Sequence, residues 1–383
     1  MNYLQRTLDL KAVLAQKSFF LFGPRGTGKS SLIKHTLGNA VVINLLRTEY
    51  QMRLTREPNA LQGLIESEQK DRNQLIVIDE IQKIPILLDE VHRLIEDEGR
   101  RFLLTGSSAR RLKQHSVNLL GGRARRAELF PLTSQETPKF NLERYLRFGG
   151  LPSVWLGEEP EEDLDAYISN YINEEIKAEG AIRKIPPFIE FLRFAALTNG
   201  QVLNFSKIAN DAGVSAPTIA SYYKILEDTL IGSTLLPWKK STHRKAISTA
   251  KFYLFDTGVT NTLAGTKTLD RNSDLFGKLF EQWIFMEIKA YLSYKRIKEP
   301  LNFWRTEDKI EVDFLVGDAL GIECKASSKT NDRDAIGLEC LREEGKIKRF
   351  LLVSNDPVNR SKNKVEYLHW EKFLDGLWSG KFV

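Results

Sequence analysis

The sequence predicts an α/β protein whose first third forms a parallel sheet around a phosphate-binding loop. Short apolar runs alternate there with segments of helical periodicity, and several runs have no polar residue on either face. Such runs are typical of strands buried on both sides, and helical intervals between them imply crossovers and a parallel sheet. A glycine-rich octapeptide at residues 23–30 directly follows the first run. The other predicted strands of this sheet are 41–45, 75–79, 101–105 and 127–129.

Composition limits the classes of protein to which the chain can belong. Its 383 residues allow roughly two to four domains. The net charge of +6 permits contact with nucleic acid without requiring it. Cys324 and Cys340 do not form a CxxC pair, so disulfides and zinc are not expected and a reducing cytoplasm fits. We expect no membrane partner, because no stretch approaches the roughly 20 apolar residues of a membrane span and the N-terminus has no signal-peptide core.

The octapeptide matches GxxxxGK[ST] at every fixed position and lies between a predicted strand and a predicted helix. Its glycines let the backbone turn its N–H groups towards phosphate oxygens, and the helix that follows adds its positive amino end. Lys29 is expected to reach the β- and γ-phosphates of ATP, and Ser30 to offer its hydroxyl to Mg²⁺. The predicted nucleotide-binding residues are Gly23, Pro24, Arg25, Gly26, Thr27, Gly28, Lys29, Ser30 and Ser31.

A second part of the nucleotide site is predicted where the run LIVIDE ends. Asp79 and Glu80 follow four apolar residues, at the end of a parallel strand where ligands bind. Asp79 is expected to hold Mg²⁺, and Glu80 to orient the attacking water. The alternative is a helix that begins with two acidic residues, as first turns often do.

Two further segments place polar residues near the same edge. The run FLLTG is followed by Ser107 and Ser108, and a serine there can hydrogen-bond the γ-phosphate or the water. The segment GGRARR carries Arg123, Arg125 and Arg126, and an arginine there can complete the site of a neighbouring subunit. The alternative for each arginine is a solvated basic loop.

Five segments together resemble the bacterial and archaeal AAA-type ATPases that carry a DUF4143 C-terminal region: FFLFGPRGTGKSSL, LIVIDEIQKIP, FLLTGSSARRL, LLGGRARRAELFPLTSQE and YLRFGGLP. The resemblance covers essentially the whole chain. It implies that Ser107 or Ser108 is the sensor 1 residue, that Arg123 is the arginine finger, and that the protein forms a homo-oligomeric ring or arc. No motif chooses between Arg144 and Arg147 as a sensor 2 arginine.

The predicted organisation has four parts. They are an AAA-type P-loop core (1–133), a helical lid (134–185), a winged helix-turn-helix domain (186–262) and a restriction-endonuclease-like α/β domain (263–383). Paired prolines after Ile185 are expected to stop a helix.

A helix-turn-helix is predicted between residues 205 and 228. Gly213 gives the turn, Val214 enters the core and Ser215 caps the second helix. A basic segment, 239–245, precedes the next strand and is typical of a wing that contacts phosphates. Winged helices also serve as protein-docking units, and the exposed face of the second helix carries one cation, Lys224. Both alternatives stay open.

A carboxylate–lysine group is predicted near the C-terminus. Asp313 lies in one strand, Glu323 and Lys325 share a face of the next, and Glu281 approaches from the preceding helix. This is the pattern of the PD-(D/E)xK nuclease fold, in which acidic residues bind Mg²⁺ and lysine helps to activate water. The alternative is a hairpin with alternating charges on a solvated face.

These features predict a Mg²⁺-dependent ATPase that acts on or with DNA, branched or broken DNA included, through its C-terminal domains. Nuclease activity is left open. The alternative is an ATP-driven switch or protein-remodelling factor whose C-terminal domains bind a protein partner and whose nuclease site is vestigial.

Overall fold

The structure is a computed structural model that describes residues 3–15, 17–108, 110, 112, 120–177, 182 and 185–383. Its strands are β1 (Ser18–Phe22), β2 (Val41–Asn44), β3 (Ile76–Asp79), β4 (Phe102–Gly106), β5 (Ala124–Glu128), β6 (Gly232–Pro237), β7 (Lys251–Leu254), β8 (Leu301–Arg305), β9 (Glu311–Val316), β10 (Leu320–Lys325), β11 (Arg349–Ser354), β12 (Arg360–Lys362) and β13 (Val365–His369). Its α-helices are α1 (Leu10–Leu14), α2 (Lys29–Thr36), α3 (Thr48–Arg56), α4 (Ala60–Glu68), α5 (Leu87–Glu98), α6 (Leu142–Phe148), α7 (Pro152–Leu156), α8 (Pro160–Asn170), α9 (Ile185–Leu197), α10 (Phe205–Ala212), α11 (Ala216–Asp228), α12 (Thr257–Ala264), α13 (Asp274–Tyr294), α14 (Ile336–Glu343) and α15 (Trp370–Trp378).

The first five strands form the predicted parallel sheet, in the order β2-β3-β4-β1-β5. Strands β1, β3 and β4 are buried along their whole length, because their side chains are apolar on both faces and the sheet is covered on both sides. The carboxyl ends of these three strands meet at one edge. The octapeptide, Asp79 and Ser107 therefore come together there, although they are far apart in the chain.

Strand β5 begins at Ala124, three residues before the predicted start, so Arg125 and Arg126 lie in the strand and not in a loop before it. The strand is at the edge of the sheet and pairs only with β1 among the described strands. Arg125 and Arg126, which point to opposite faces, are both exposed at this edge, where charged side chains are tolerated. A prediction based on apolar runs recognises only its buried end.

The paired prolines Pro186 and Pro187 lie in the first turn of helix α9. Proline is tolerated in the first turn because the N–H groups there have no acceptor within the helix. The predicted end of a helix before these prolines falls largely on residues outside those that the structure describes, so it stays a prediction, whereas the helix predicted after them is present.

Helices α9, α10 and α11 and strands β6 and β7 have the order that is typical of a winged helix. Strands β6 and β7 pair antiparallel, and Val202 bridges to Lys251 on the outer side of β7. Ser215 caps α11 through its hydroxyl, and Gly213 ends α10 with a φ of +65°, as the sequence predicted.

The C-terminal strands continue this hairpin into one mixed sheet of eight strands, β12-β13-β11-β10-β9-β8-β6-β7. The connection is a parallel pairing of Leu236 and Pro237 in β6 with Asn302 and Phe303 in β8. The predicted boundary at residue 262 thus assigns β6 and β7 to one domain and β8 to β13 to another, although all eight strands form one sheet. The four domain ranges remain predictions.

One apolar core runs from the first sheet into the C-terminal half. It includes Phe19 and Leu103 of the first sheet together with Trp283 of α13 and Phe314 of β9. The other face of the first sheet is covered by α3, α4 and α5. Among the described helices, none is both long and apolar enough to cross a membrane.

Candidate nucleotide-binding site

The octapeptide forms a loop between β1 and α2. Gly26 and Gly28 have φ values of +78° and +90°, a region that strongly favours glycine. The Nζ of Lys29 donates hydrogen bonds to the carbonyl oxygens of Gly23 (2.6 Å) and Pro24 (3.1 Å). Burial lowers the pKa of Lys29, and the nearby carboxylates oppose that change. A buried lysine thus lies inside the loop, where phosphates would enter.

Ser30 and Asp79 lie next to each other, although 49 positions separate them in the chain. The Ser30 hydroxyl donates to one carboxylate oxygen of Asp79 at 3.2 Å, and the Thr105 hydroxyl donates to the other. Asp79 is buried, with 4% of its surface exposed. One hydroxyl and one carboxylate held together at a strand end are oxygen ligands of the kind that Mg²⁺ prefers.

Glu80 occupies a special backbone position directly after β3. Its φ is +63°, the left-handed region in which side chains other than glycine are uncommon. Its N–H donates to the Thr105 hydroxyl at 3.3 Å, and Gln82 donates to its carboxylate. Burial raises the pKa of Glu80, whereas Lys29 acts to lower it. The turn therefore holds the carboxylate beside the lysine.

Of the two candidate sensor serines, only Ser107 belongs to this group. Its hydroxyl accepts from Gln82 at 3.2 Å and donates to the carboxylate of Glu175 at 2.9 Å. The hydroxyl of Ser108 instead bonds backbone groups of Arg110 and Asp228. Sequence analysis missed both partners of Ser107. Gln82 lies within the segment LIVIDEIQKIP, which could have drawn attention to it, whereas Glu175 belongs to no motif and follows Ser107 by 68 residues.

The helices after β5 cover the loop. A Cβ atom placed on Gly26 would lie 3.4 Å from the ring of Tyr167 in α8, and one on Gly28 would lie 3.6 Å from Pro152 in α7. Arg25 and Ser31 are exposed at the same edge, whereas Thr27 is fully buried. The segment predicted as a lid therefore touches the phosphate-binding loop.

A buried arginine near the N-terminus supports the loop from behind. Arg6 donates 2.6 Å hydrogen bonds to the carbonyl oxygens of Thr27 and Phe130, and it pairs with Glu136 at 3.0 Å. It also donates to the hydroxyl of Tyr294 in α13 at 3.3 Å. No motif marked Arg6, because its partners are mostly backbone oxygens that only the fold brings together.

Arg123 lies at the amino end of β5, at the edge of the sheet opposite the phosphate-binding loop. It pairs with the carboxylate of Glu96, and it is partly exposed. It does not reach the nucleotide site of its own chain. Arg144 and Arg147 stack on aromatic rings of α6 and α7, so the structure does not place either at the phosphates.

The four residues predicted as a C-terminal site lie close together on β9, β10 and α13. Lys325 donates to Glu323 at 2.6 Å. The N–H of Cys324 donates to Asp313 at 2.8 Å, and the Cys324 side chain lies in the apolar core. Burial raises the pKa of Asp313 well above its usual range, and the neighbouring carboxylates add to the effect. Burial likewise raises the pKa of Glu323 to about 7, although Lys325 opposes the change.

Sequence analysis missed a lysine at the centre of this cluster. The Nζ of Lys251 lies 3.1 Å from a carboxylate oxygen of Glu281 and 3.9 Å from one of Asp313, and it also contacts Glu311. The Lys251 side chain is 3% exposed. Burial alone would lower the pKa of Lys251, but the surrounding acidic groups raise it well above its usual range. Lys251 belongs to β7, which the predicted boundary at residue 262 assigned to a different domain from the carboxylates. Sequence analysis therefore did not consider it as their partner.

The basic segment predicted as a wing, 239–245, is held on the C-terminal sheet. Lys240 pairs with Asp318 at 2.7 Å, Arg244 with Glu343 at 2.5 Å and Lys245 with Glu307 at 2.7 Å. In α11, Lys224 pairs with Glu227 at 3.4 Å and Asp228 at 3.7 Å. Three cations of the predicted wing, together with Lys224, thus have acidic partners within the chain.

Three family models match the chain in succession. Residues 15–137 match an AAA domain, residues 139–270 match a domain of unknown function, DUF8612, and residues 276–373 match DUF4143. The middle match unites most of the predicted lid with the predicted winged helix. The first match contains the phosphate-binding loop, Asp79, Glu80 and Ser107.

Relatives and solved structures give more distant likenesses. The protein Rv2008c of Mycobacterium tuberculosis is 28% identical over 322 residues, which cover 80% of this chain and 70% of the relative. MJ1544 of Methanocaldococcus jannaschii is 23% identical over 346 residues, covering 82% and 75%. The ORC1 protein of Aeropyrum pernix in complex with DNA is 13% identical with a TM-score of 0.28, covering 67% of this chain and 90% of that chain. A signal-transduction ATPase of Pyrococcus horikoshii is 12% identical with a TM-score of 0.29, covering 77% and 48%.

Residues 15–137, which match the AAA domain, contain the phosphate-binding loop at the carboxyl edge of the first sheet. The chain therefore contains an AAA-type P-loop domain and, at residues 276–373, a DUF4143 region.

Proposed function

We propose that the protein hydrolyses ATP in a Mg²⁺-dependent reaction and uses the nucleotide as a switch on its C-terminal half. The observation that carries this proposal is the contact of Ser30 with Asp79 at 3.2 Å, beside a buried Lys29 and the carboxylate of Glu80. These residues supply an ion site, a phosphate-binding cation and a water-orienting acid at one strand edge. Phosphoryl transfer needs little more than this, because its catalysis is mostly positioning and electrostatic stabilisation.

Each residue has a distinct task in the proposed reaction. Lys29 exchanges its two carbonyl acceptors for phosphate oxygens, which offer it stronger, charge-assisted hydrogen bonds. Ser30 and Asp79 would hold Mg²⁺, which when bound neutralises charge on the phosphates. Glu80 orients the attacking water, and the amide of Gln82 bonds both Glu80 and Ser107 and so fixes their separation.

A cavity on the other side of Gly28 fits the base of the nucleotide. Its lining includes Ser31 and His35 of α2 and Pro152 and Leu156 of α7. The ring of Tyr3 stacks on His35 with their centroids 3.9 Å apart. Aromatic and apolar walls with a few polar groups are typical of such pockets.

Two substitutions test the hydrolytic site. Lys29→Ala should weaken ATP binding about 10- to 100-fold, as expected for the loss of hydrogen bonds worth roughly 1.5–3 kcal/mol from a charged group. Glu80→Gln should retain ATP binding while lowering the hydrolysis rate on the order of 100-fold. Binding is measured by titration with a fluorescent ATP analogue and hydrolysis by phosphate release. Parental hydrolysis by Glu80→Gln would show that Glu80 does not orient the water.

Contacts between the two halves of the chain support the switch. The loop carbonyl of Thr27 and the hydroxyl of Tyr294 in α13 share one arginine, Arg6. The turn that carries Pro152 is fixed by Asp256, which accepts from Gly150 N–H at 2.7 Å and from Val259 N–H at 3.0 Å. A change at the phosphates therefore has direct routes to α12 and α13.

The C-terminal carboxylates do not fit the divalent ion that the nuclease resemblance implies. Lys251 already places its ammonium among Glu281, Glu311 and Asp313, and no group of three or more His, Cys, Asp or Glu within the described ranges is arranged to hold a metal ion. We therefore derive no cleavage step from this cluster. The switch with a vestigial nuclease site is the better supported of the two predicted functions.

Association with DNA is the second candidate, favoured by the winged-helix order of α9–α11, β6 and β7. Binding of duplex, forked, four-way and single-stranded DNA, measured from 50 to 200 mM salt with and without ATP, separates the candidates. A DNA-acting protein should lose affinity steeply as salt rises, because Lys and Arg contacts release counterions. Weak binding to every DNA, unchanged by ATP, would leave the protein-partner alternative.

A further inference from the structure

One carboxylate in the nucleotide site has no role in the proposed hydrolysis. Glu175 belongs to the segment Tyr171–Lys177, which continues directly from α8. Its carboxylate accepts the hydroxyl hydrogen of Ser107 at 2.9 Å, and 7% of the residue's surface is exposed. The Ser107 hydroxyl, which would donate to an oxygen of the γ-phosphate, therefore already donates to Glu175.

The same carboxylate also lies near the phosphate-binding lysine. The charges of Glu80, Asp79 and Glu175 all oppose the effect of burial on the pKa of Lys29. Asp79 and Glu80 follow β3 on one side of the loop, whereas Glu175 comes from the segment after the lid helix. The carboxylate contributed by the lid thus bonds Ser107 and acts on the charge of Lys29, the two groups that would receive the terminal phosphate.

We propose that Glu175 takes the place of the terminal phosphate in the nucleotide-free protein and must leave when ATP binds, but not when ADP binds. The proposal rests on the proposed function, since it requires a nucleotide at this site. A carboxylate and a γ-phosphate repel each other and compete for the same hydroxyl, and two anions within a few ångström in a partly buried site repel strongly. ADP has no γ-phosphate, so it can bind while Glu175 stays on Ser107.

Displacement of Glu175 has a route to the rest of the molecule. The hydroxyl of Tyr171, at the start of the same segment, bonds that of Thr229 directly after α11 at 3.1 Å. In α8, Tyr167 lies over Gly26 of the loop. Movement of Glu175 therefore pulls on the helix above the phosphates and on the end of the winged-helix segment. The γ-phosphate becomes the feature of the nucleotide that the lid detects.

The test compares nucleotides that differ by the terminal phosphate. Dissociation constants for ADP and for a non-hydrolysable ATP analogue are measured on the full chain and on Glu175→Gln, which removes the charge but retains an acceptor for Ser107. The analogue should bind Glu175→Gln about 10-fold more tightly, within the usual range of coupling between sites, and ADP affinity should change by less than about 2-fold. Glu162→Gln, which removes one charge from the exposed face of α8, should change neither.

Other results overturn the proposal. Equal changes for both nucleotides, or weaker binding of the analogue, would show that Glu175 only supports the fold or assists phosphate binding. Glu175→Ala is a second variant, because a glutamine could keep its hydrogen bond with Ser107 and still block the γ-phosphate. If neither variant changes the affinity for the ATP analogue, the proposal is also overturned. If the parental chain binds neither nucleotide, the proposed function fails instead.

Discussion

The guanidinium of Arg6 donates a 2.6 Å hydrogen bond to the carbonyl oxygen of Thr27, inside the phosphate-binding loop. The side chain of this arginine is 3% exposed, and its ion pair with Glu136 is fully buried on the acidic side. One residue near the N-terminus thus fixes the back of the loop to the segment that leads into the C-terminal half. Its energetic importance is open to direct measurement.

We expect Arg6→Met to destabilise the protein by about 3–5 kcal/mol, because removing one partner of a buried pair leaves the other charge uncompensated. ATP affinity should fall as well, since the loop loses its support at Thr27. Urea denaturation and nucleotide titration measure the two effects. Arg56→Met is the control: Arg56 is 86% exposed and lies 3.8 Å from its partner Glu57, so its loss should cost less than about 1 kcal/mol. Equal effects of the two substitutions would contradict the proposed role of Arg6.

Arg123 should act on a neighbouring subunit, because it lies at the sheet edge remote from the phosphate-binding loop of its own chain. Arg123→Ala and Lys29→Ala should each lose hydrolysis. Mixed assemblies of the two should regain part of it, since an intact loop then meets an intact arginine. Phosphate release across mixing ratios measures this recovery. Arg56→Ala subunits mixed with the parental chain serve as the control. Full activity in a strictly monomeric protein would exclude a shared site.

Lys251 should act as the resident cation of the C-terminal carboxylates. Lys251→Met should destabilise the protein by about 3–5 kcal/mol, because the buried Asp313 and the half-buried Glu281 would then lose this cation. Glu311 keeps its 2.6 Å ion pair with Arg305. Mg²⁺ or Mn²⁺ should raise the Tm of Lys251→Met more than that of the parental protein. Lys245→Met, which removes an exposed lysine, should behave like the parent. An equal rise in the parental protein, abolished by Asp313→Asn, would instead establish a metal site that coexists with Lys251.

Glu344 should make the basic segment sensitive to acid. Its carboxylate accepts from the N–H groups of Thr242 at 2.6 Å, His243 at 3.0 Å and Arg244 at 3.1 Å. Burial acts to raise the pKa of Glu344, but these hydrogen bonds outweigh it and lower the pKa to about 2. Because the folded pKa is depressed, the stabilisation is complete above the unfolded value of roughly 4.3 and is lost as the pH falls towards 2.

Hydrogen exchange measures this effect. The amides of residues 242–244 should exchange faster as the pH falls through that window, after correction for the intrinsic rate. Glu344→Gln should show fast exchange at neutral pH, because an amide group cannot accept at both ends. Glu343→Gln serves as the control, since Glu343 contacts only the Arg244 side chain among these groups. Slow exchange in Glu344→Gln at neutral pH would contradict the role given to Glu344.

Local sequence was sufficient for the parts of the protein whose determinants are contiguous. The octapeptide, the run that ends in Asp79 and Glu80, and the turn at Gly213 each combine a periodic pattern with residues that only one local geometry suits. The strands that carry Asp313 and Glu323, β9 and β10, were predicted for the same reason. One failure, the start of β5, arose because an exposed edge strand tolerates charged residues that are uncommon in buried strands.

Only the tertiary structure decided what the charged residues do. Three charged residues, Arg6, Glu175 and Lys251, belong to no motif. Arg6 bonds Thr27 across 21 positions of the chain, Glu175 bonds Ser107 across 68, and Lys251 bonds Glu281 across 30. A cation such as Lys240 is available to a phosphate or already paired, according to whether the fold places an acid beside it. The sequence by itself determined the phosphate-binding loop and the first sheet, because those depend on local backbone geometry and burial. The contacts of Lys251 with the C-terminal carboxylates, and that of Glu175 with Ser107, join residues far apart in the chain, so no local pattern encodes them.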